Sequence, residues 1–211
     1  MTPEQEVARR LLQIKAIKLS PQKPFTWASG MLSPIYCDNR TVLSFPETRR
    51  FIVEQFVARS STFGSFDVVA GVATAGIPHG VLLADRLDKP FIYVRSKAKA
   101  HGRQNMIEGS LQPGQKVLVI EDLISTGGSS VKAVAALREA GAEVVGVLAI
   151  FTYGFAKATQ TFEDADCLFT TLSDYHTLLA QARQQEYINA QQEALLAKWR
   201  QAPDSWQPLD A

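Results

Sequence analysis

Residues 117–130 read VLVIEDLISTGGSS, and this segment has the three parts of a strand–turn–helix unit. Its first four residues are all apolar, which is typical of a central strand buried on both faces of a parallel sheet. The hydroxyl- and glycine-rich residues that follow predict a tight turn, and the residues after the turn predict a helix. Units of this kind build α/β folds, in which ligands bind beyond the carboxyl ends of the strands.

The turn after this strand has the features of a phosphate-binding site. Backbone N–H groups from Ser125 to Ser129 would converge at the start of a helix, where the helix dipole favours an anion and glycine permits close approach. The hydroxyls of Ser125, Thr126 and Ser129 add further donors. We therefore predict that the turn binds a phosphate dianion, the alternative being an ordinary strand-to-helix turn that is preceded by acids.

Two adjacent acids, Glu121 and Asp122, lie beside this turn and would repel a bare phosphate. The ligand must therefore also offer hydroxyl donors to the carboxylates. A phosphorylated ribose meets both needs, because its 5′-phosphate fits the turn and its 2′- and 3′-hydroxyls can donate to the acids. The carboxylates can also balance positive charge that develops on the sugar during a reaction.

The alternation of strand-like and helical stretches continues on both sides of this segment. Strand-like runs at residues 67–72, 91–94, 116–120 and 143–151 alternate with helical stretches at 77–87 and 129–140. This alternation predicts an α/β fold with a central, mostly parallel sheet flanked by helices.

The two ends of the chain differ from this central part. Residues 1–45 are predicted to form a small N-terminal appendage, with a helix over 3–15 and an irregular or β segment over 24–41. Residues 46–211 are predicted to form the core, which begins with a helix over 46–59. Its tail is helical over 174–200, where it packs on the sheet or on a partner subunit, and is loosely held over 203–211.

Composition limits the classes of function. The chain has 211 residues, of which 46% are hydrophobic and 20% charged, and its formal net charge is +1. This near-neutral balance argues against binding of nucleic acid or of an anionic membrane through bulk charge. No apolar run approaches the ~18 residues that span a bilayer, and no signal peptide is evident, so we expect a cytoplasmic protein. Cys37 and Cys167 lack the spacing of a metal site, which favours reduced, packed thiols.

A second glycine-bounded loop, GVATAG at residues 71–76, also follows an apolar run. Its spacing matches a nucleotide P-loop, but Ile77 and Pro78 stand where Lys and Ser or Thr are needed, so ATP hydrolysis is disfavoured. The backbone can still bind an anion, and a plain strand–helix corner is the alternative.

The polar segment RSKAKAHGRQN at residues 95–105 concentrates cations in a chain that is otherwise balanced. It has no apolar periodicity, so a long loop is predicted. A run of charge on its own usually marks a solvated surface. This segment, however, leaves the same predicted sheet as both glycine loops.

The segment at residues 117–130 resembles the 5-phosphoribosyl-1-diphosphate (PRPP) signature of the type I phosphoribosyltransferases. The resemblance implies that Glu121 and Asp122 face the ribose hydroxyls. It further implies that the 5′-phosphate is surrounded by Leu123, Ile124, Ser125, Thr126, Gly127, Gly128 and Ser129. The loop at residues 71–76 stands where this family binds diphosphate, with the N–H groups of Thr74, Ala75 and Gly76 as donors. Many members carry Lys in place of Ala75.

Two further segments are similar to orotate phosphoribosyltransferases. The spacing of Arg95, Lys99 and His101 resembles their catalytic loop, which implies that these cations stabilise the leaving diphosphate, with Lys99 the most important. By the same resemblance, the loop reaches the neighbouring subunit's site in a homodimer.

The segments FTWASG (residues 25–30) and SPIYCDNR (residues 33–40) resemble the hood that covers the pyrimidine in this family. Tyr36 would pack on the flat ring, although Phe25, Trp27 and Tyr36 are each equally well explained as core aromatics. Some members carry Lys at Ala28 and Arg near Tyr153. Without them, the orotate carboxylate would rely on backbone donors and Ser125.

The resemblance therefore implies transfer of phosphoribosyl from PRPP to orotate, giving orotidine 5′-monophosphate and diphosphate. Mg²⁺ would arrive with PRPP, without a direct protein ligand. A purine phosphoribosyltransferase would share the acidic pair and the phosphate turn. A PRPP-binding regulator is the other alternative, but it would need a DNA-binding module, for which residues 1–45 have neither the length nor the charge.

Overall fold

The structure is a computed structural model that describes residues 1–27, 30–97 and 106–207. In these ranges the strands are β1 (Ile17–Leu19), β2 (Phe25–Thr26), β3 (Leu32–Ser33), β4 (Ile35–Cys37), β5 (Val68–Val72), β6 (Phe91–Val94), β7 (Ile107–Glu108), β8 (Lys116–Ile124), β9 (Glu143–Thr152) and β10 (Phe169–Asp174). The helices are α1 (Pro3–Gln13), α2 (Pro46–Ser60), α3 (Gly76–Arg86), α4 (Gly128–Glu139), α5 (Ala156–Asp164), α6 (Tyr175–Gln184) and α7 (Ala190–Gln201). Short 3₁₀ helices span Asn39–Ser44 and Ser61–Phe63.

One sheet organises the described residues, with the strand order β10-β9-β8-β5-β6-β7. All neighbouring strands in it are parallel except β6 and β7. This arrangement confirms the predicted α/β class with a mostly parallel sheet. Because β8 and β5 are adjacent and parallel, the two glycine-containing segments that follow them meet at the same edge of the sheet.

Side chains alternate along the central strands and build an apolar layer on each face of the sheet. Leu118 and Ile120 of β8 join the layer that α1, α2, α3, α6 and α7 cover. Val117 and Val119 point into the layer that α4 and α5 cover. Within the described residues, no helix combines the length and apolar character that crossing a bilayer requires.

Strand β8 is longer than predicted. The expected run ended at residue 120, because two acids follow it, whereas pairing with β9 continues from Glu121 opposite Ala149 to Ile124 opposite Thr152. Parallel ladder hydrogen bonds come from the backbone, so acidic side chains did not end the strand. Strand β7, helix α5 and strand β10 were not predicted; β7 has only two residues, and α5 buries only Ala158 and Phe162 in an otherwise polar sequence.

The N-terminal residues pack into the same core as the sheet. Val7 and Leu11 of α1 are fully buried in the layer that includes β8. The irregular segment after α1 forms two short antiparallel pairs, β1 with β4 and β2 with β3. The division of the chain at residue 45 stays a prediction.

The C-terminal part packs on this chain's own core. The predicted helical stretch at 174–200 consists of α6 and α7, and Trp199 of α7 is fully buried. The expectation of a loose end over 203–211 needs correction for its first part, because Trp206 is partly buried against the same layer. Residues 208–211 lie outside the described ranges.

Candidate active site

The acidic pair lies at the carboxyl end of β8, as predicted. Glu121 is only 5% exposed. Its carboxylate accepts hydrogen bonds from the Asp122 backbone N–H at 3.0 Å and from the Ser129 and Ser130 hydroxyls at 3.4 Å each. Burial, followed by the charge of Asp122, raises the pKa of the Glu121 carboxyl well above its usual range. Glu121 thus joins the strand end to the start of α4.

Asp122 is half-buried, and burial also raises the pKa of its carboxyl. Its backbone carbonyl accepts a 2.7 Å hydrogen bond from Nδ2 of Asn39, which is fully buried. Asn39 begins the 3₁₀ helix after β4 and connects the N-terminal segment to the acidic pair. Sequence reasoning did not single out Asn39, although it belongs to the segment SPIYCDNR.

The phosphate turn occupies the residues between β8 and α4. Gly127 has φ +82°, a left-handed conformation that glycine adopts without strain, and a Cβ there would lie 2.9 Å from the Phe162 ring. Thr126, Gly128 and Ser129 are exposed at this helix start. Leu123 and Ile124, which were expected beside the phosphate, belong to β8, and the Ile124 side chain is 1% exposed in the core. A phosphate would therefore meet Ile124 through its backbone only.

The second glycine loop follows β5 and stands beside the end of β8. Thr74 is exposed, Gly76 is the first residue of α3, and the peptide bond between Ala73 and Thr74 is cis. A Cβ on Gly76 would overlap the carbonyl oxygen of Ile120, so only glycine lets α3 start this close to β8. Both predicted anion loops thus lie at neighbouring strand ends, on either side of the acidic pair.

The described residues at the two ends of the basic loop adjoin β6 and β7, and β6 is the neighbour of β5 in the sheet. Arg95 follows β6, and its Nη1 lies 3.4 Å from Oε1 of Glu108 on β7. Lys132 of α4 donates to the carbonyl of Ser96 at 2.8 Å. The predicted site residues Lys99 and His101 lie outside the described residues.

The aromatic residues of the N-terminal segment take different positions. Trp27 donates from Nε1 to the carbonyl of Ile35 at 3.1 Å, and its ring centroid is 5.4 Å from that of Tyr153. The half-buried Trp27 side chain therefore packs against the core. Tyr36 is 39% exposed, with its ring 5.7 Å from Phe25. Ala28 lies outside the described residues.

A cavity of about 830 Å³ lies next to the phosphate turn. Its lining includes Trp27 from the N-terminal segment, Ser125 and Thr126 from the turn, Lys157 from α5 and Arg200 from α7. Ser125 thus lines the cavity next to the phosphate turn, and its contact with the base stays a prediction. Tyr36 is not among the described lining residues, and its role stays a prediction.

Comparison with known proteins agrees with this geometry. Residues 50–177 match the phosphoribosyl transferase domain model. The orotate phosphoribosyltransferase of Listeria monocytogenes is 55% identical over 207 residues, which cover 98% of this chain and 99% of that protein.

Solved structures show the same likeness. The UMP synthase of Leishmania donovani superimposes with a TM-score of 0.79 at 30% identity, over 93% of this chain and 42% of that one. The orotate phosphoribosyltransferase of Aeropyrum pernix superimposes with a TM-score of 0.75 at 26% identity, over 87% of this chain and 99% of that one. A matching domain model and a relative that is 55% identical over almost its whole length show that this chain belongs to the orotate phosphoribosyltransferase family.

Proposed function

We propose that the chain transfers phosphoribosyl from PRPP to orotate at the carboxyl edge of its sheet, in the cytoplasm. The observation that supports this most is the placement of the acidic pair between two loops suited to anions. PRPP carries a phosphate and a diphosphate on one hydroxyl-bearing ribose, so its three parts match these three features.

In the proposed complex, the turn at Ser125–Ser129 binds the 5′-phosphate through backbone N–H groups and hydroxyls. Asp122 and Glu121 accept hydrogen bonds from the ribose hydroxyls. The loop at Thr74–Gly76 offers N–H groups to the diphosphate. The cavity lined by Ser125 takes the pyrimidine, on the far side of the sugar from the leaving group.

The reaction breaks the bond between C1′ and the diphosphate oxygen, and the electron pair leaves with the diphosphate. N1 of orotate then forms a bond to C1′ from the opposite face. Orotate ionises at N1, so the chain need not supply a strong base. Positive charge on the sugar is largest between these two events, when the carboxylates of buried Glu121 and half-buried Asp122 interact with it most strongly.

We propose that Mg²⁺ arrives at the acidic strand end with PRPP. This ion usually keeps several waters and binds substrate phosphates, so it needs no direct protein ligand there. In the described residues, no three His, Cys, Asp or Glu side chains group closely enough to form a metal cage. When bound, Mg²⁺ supplies charge neutralisation at the diphosphate, while Glu121 and Asp122 hold the ribose.

The proposed catalytic loop carries Arg95, Lys99 and His101, and its cations stabilise the charge that grows on the leaving diphosphate. Its described ends support this, because β6 is the neighbour of β5, whose end begins the diphosphate loop. We further propose a homodimer in which each loop completes the partner's site.

Mixed dimers test the shared loop. A dimer of one Lys99→Ala chain and one Asp122→Asn chain, isolated by two different affinity tags, should recover about half of wild-type activity. With shared loops, one of its two sites combines an intact Asp122 with an intact Lys99. If each loop served its own subunit, both sites would be defective, and activity no higher than that of the parent variants would contradict the proposal.

A further inference from the structure

Arg200 of α7 lies in the cavity beside the phosphate turn and has no role in the site described so far. Among the described lining residues, the cationic side chains are those of Lys157 and Arg200, and the acidic one is that of Asp204. The described lining therefore has more cationic than acidic side chains, and it also includes Ser125. Such a lining favours an anionic ligand over a neutral one.

The guanidinium of Arg200 is held by the backbone. Its Nε donates to the carbonyl of Tyr153 at 3.0 Å, and its Nη2 donates to the carbonyl of Gly154 at 2.8 Å. These two hydrogen bonds use one edge of the planar group. A guanidinium has five N–H donors in a fixed fork, and the edge that includes Nη1 has the spacing of a carboxylate's two oxygens.

The helix that carries Arg200 is fixed by the residue next to it. Trp199 is fully buried, and its ring centroid is 5.8 Å from those of Trp27 and Tyr153. One turn earlier, the Leu196 carbonyl accepts a 2.9 Å hydrogen bond from the Tyr175 hydroxyl. Arg200 is therefore presented to the cavity on a rigid element, which is what selective binding requires.

We propose that Arg200 binds the carboxylate of the pyrimidine substrate and so selects an acidic base over its neutral analogues. The inference rests on orotate being the base. Lys157 is the less suitable partner, since an ammonium is a point charge on a flexible stem, whereas the held guanidinium matches a planar carboxylate. The carboxylate would lie between Arg200 and Ser125.

Steady-state kinetics of Arg200→Gln test the proposal. We expect the KM for orotate to rise about tenfold or more, because a charge-assisted pair is lost, while the KM for PRPP changes less than about twofold. Arg200→Lys should recover part of the loss. Lys198→Gln is the matched control, because it removes an exposed charge from the same helix at a residue outside the described cavity lining, and we expect it to keep the wild-type KM for orotate.

Binding of the carboxamide of orotate distinguishes recognition of the carboxylate by Arg200 from a purely structural role of Arg200. Arg200→Gln should bind this neutral analogue as tightly as the wild type does. Equal losses of affinity for orotate and for the carboxamide would mean that Arg200 only holds the backbone at Tyr153 and Gly154, and the proposal would be overturned. It would also be overturned if Lys157→Gln, not Arg200→Gln, raised the KM for orotate. A wild-type protein that used no orotate would instead refute the proposed function itself.

Discussion

Replacing Lys99 with alanine is expected to lower kcat by about 100- to 1,000-fold while PRPP still binds. In its proposed role, the cation of Lys99 interacts most strongly with the diphosphate as the bond to C1′ breaks, so its loss would raise the barrier more than it weakens the ground state. In sequence, Lys99 lies between β6 and β7, and β6 is the neighbour of β5, whose end begins the proposed diphosphate loop.

Turnover and PRPP affinity, measured on the same samples, decide this prediction. Lys97→Ala is the matched control, because it removes the same charge from the same loop two positions away, and we expect a far smaller loss of kcat. Equal effects of the two substitutions would indicate that the loop acts through its total charge and not through a specific contact of Lys99. Unchanged turnover in Lys99→Ala would remove Lys99 from the proposed role.

Asp122→Asn is expected to lower kcat/KM for PRPP by roughly 10- to 150-fold, the range that corresponds to one hydrogen bond to a charged group. The amide keeps the shape of the side chain but replaces one acceptor oxygen with a donor. It also removes the negative charge that faces the sugar. The backbone carbonyl that binds Asn39 is unaffected.

The stability of Asp122→Asn should equal or exceed that of the wild type. Burial raises the pKa of the Asp122 carboxyl, so its ionised form costs folding free energy at neutral pH, and the neutral amide avoids that cost. Thermal melting at pH 7 to 8 measures this, with the exposed Asp164→Asn as the control for both stability and activity. A large fall in melting temperature would favour a structural role for Asp122.

The parts of the site that lie close together in sequence were predictable. The strand, the acidic pair and the phosphate turn are one continuous segment, and their chemistry follows from local order. The end of the strand was less clear, because the acids at 121 and 122 suggested a boundary that the β8–β9 ladder passes through. Acidic side chains at that position do not prevent backbone pairing, so composition alone placed the end of the strand four residues too early.

The parts that depend on tertiary packing were not predictable. Asn39 contacts Asp122 across 83 positions of sequence, and nothing local marks it as a partner of the acids. Arg200 lines the cavity from α7, where the preceding residue, Trp199, packs against Trp27 and Tyr153. A helical pattern shows that Trp199 is apolar and periodic but not which cavity its neighbour enters.

Base selectivity tests the central claim most directly. The purified protein would be incubated with Mg²⁺ and PRPP and, in separate reactions, with orotate, uracil, adenine or hypoxanthine, while base consumption and diphosphate release are followed. The account predicts that orotate is consumed with equimolar release of diphosphate and that the other bases are left unchanged. Consumption of a purine with no fall in orotate absorbance would contradict it.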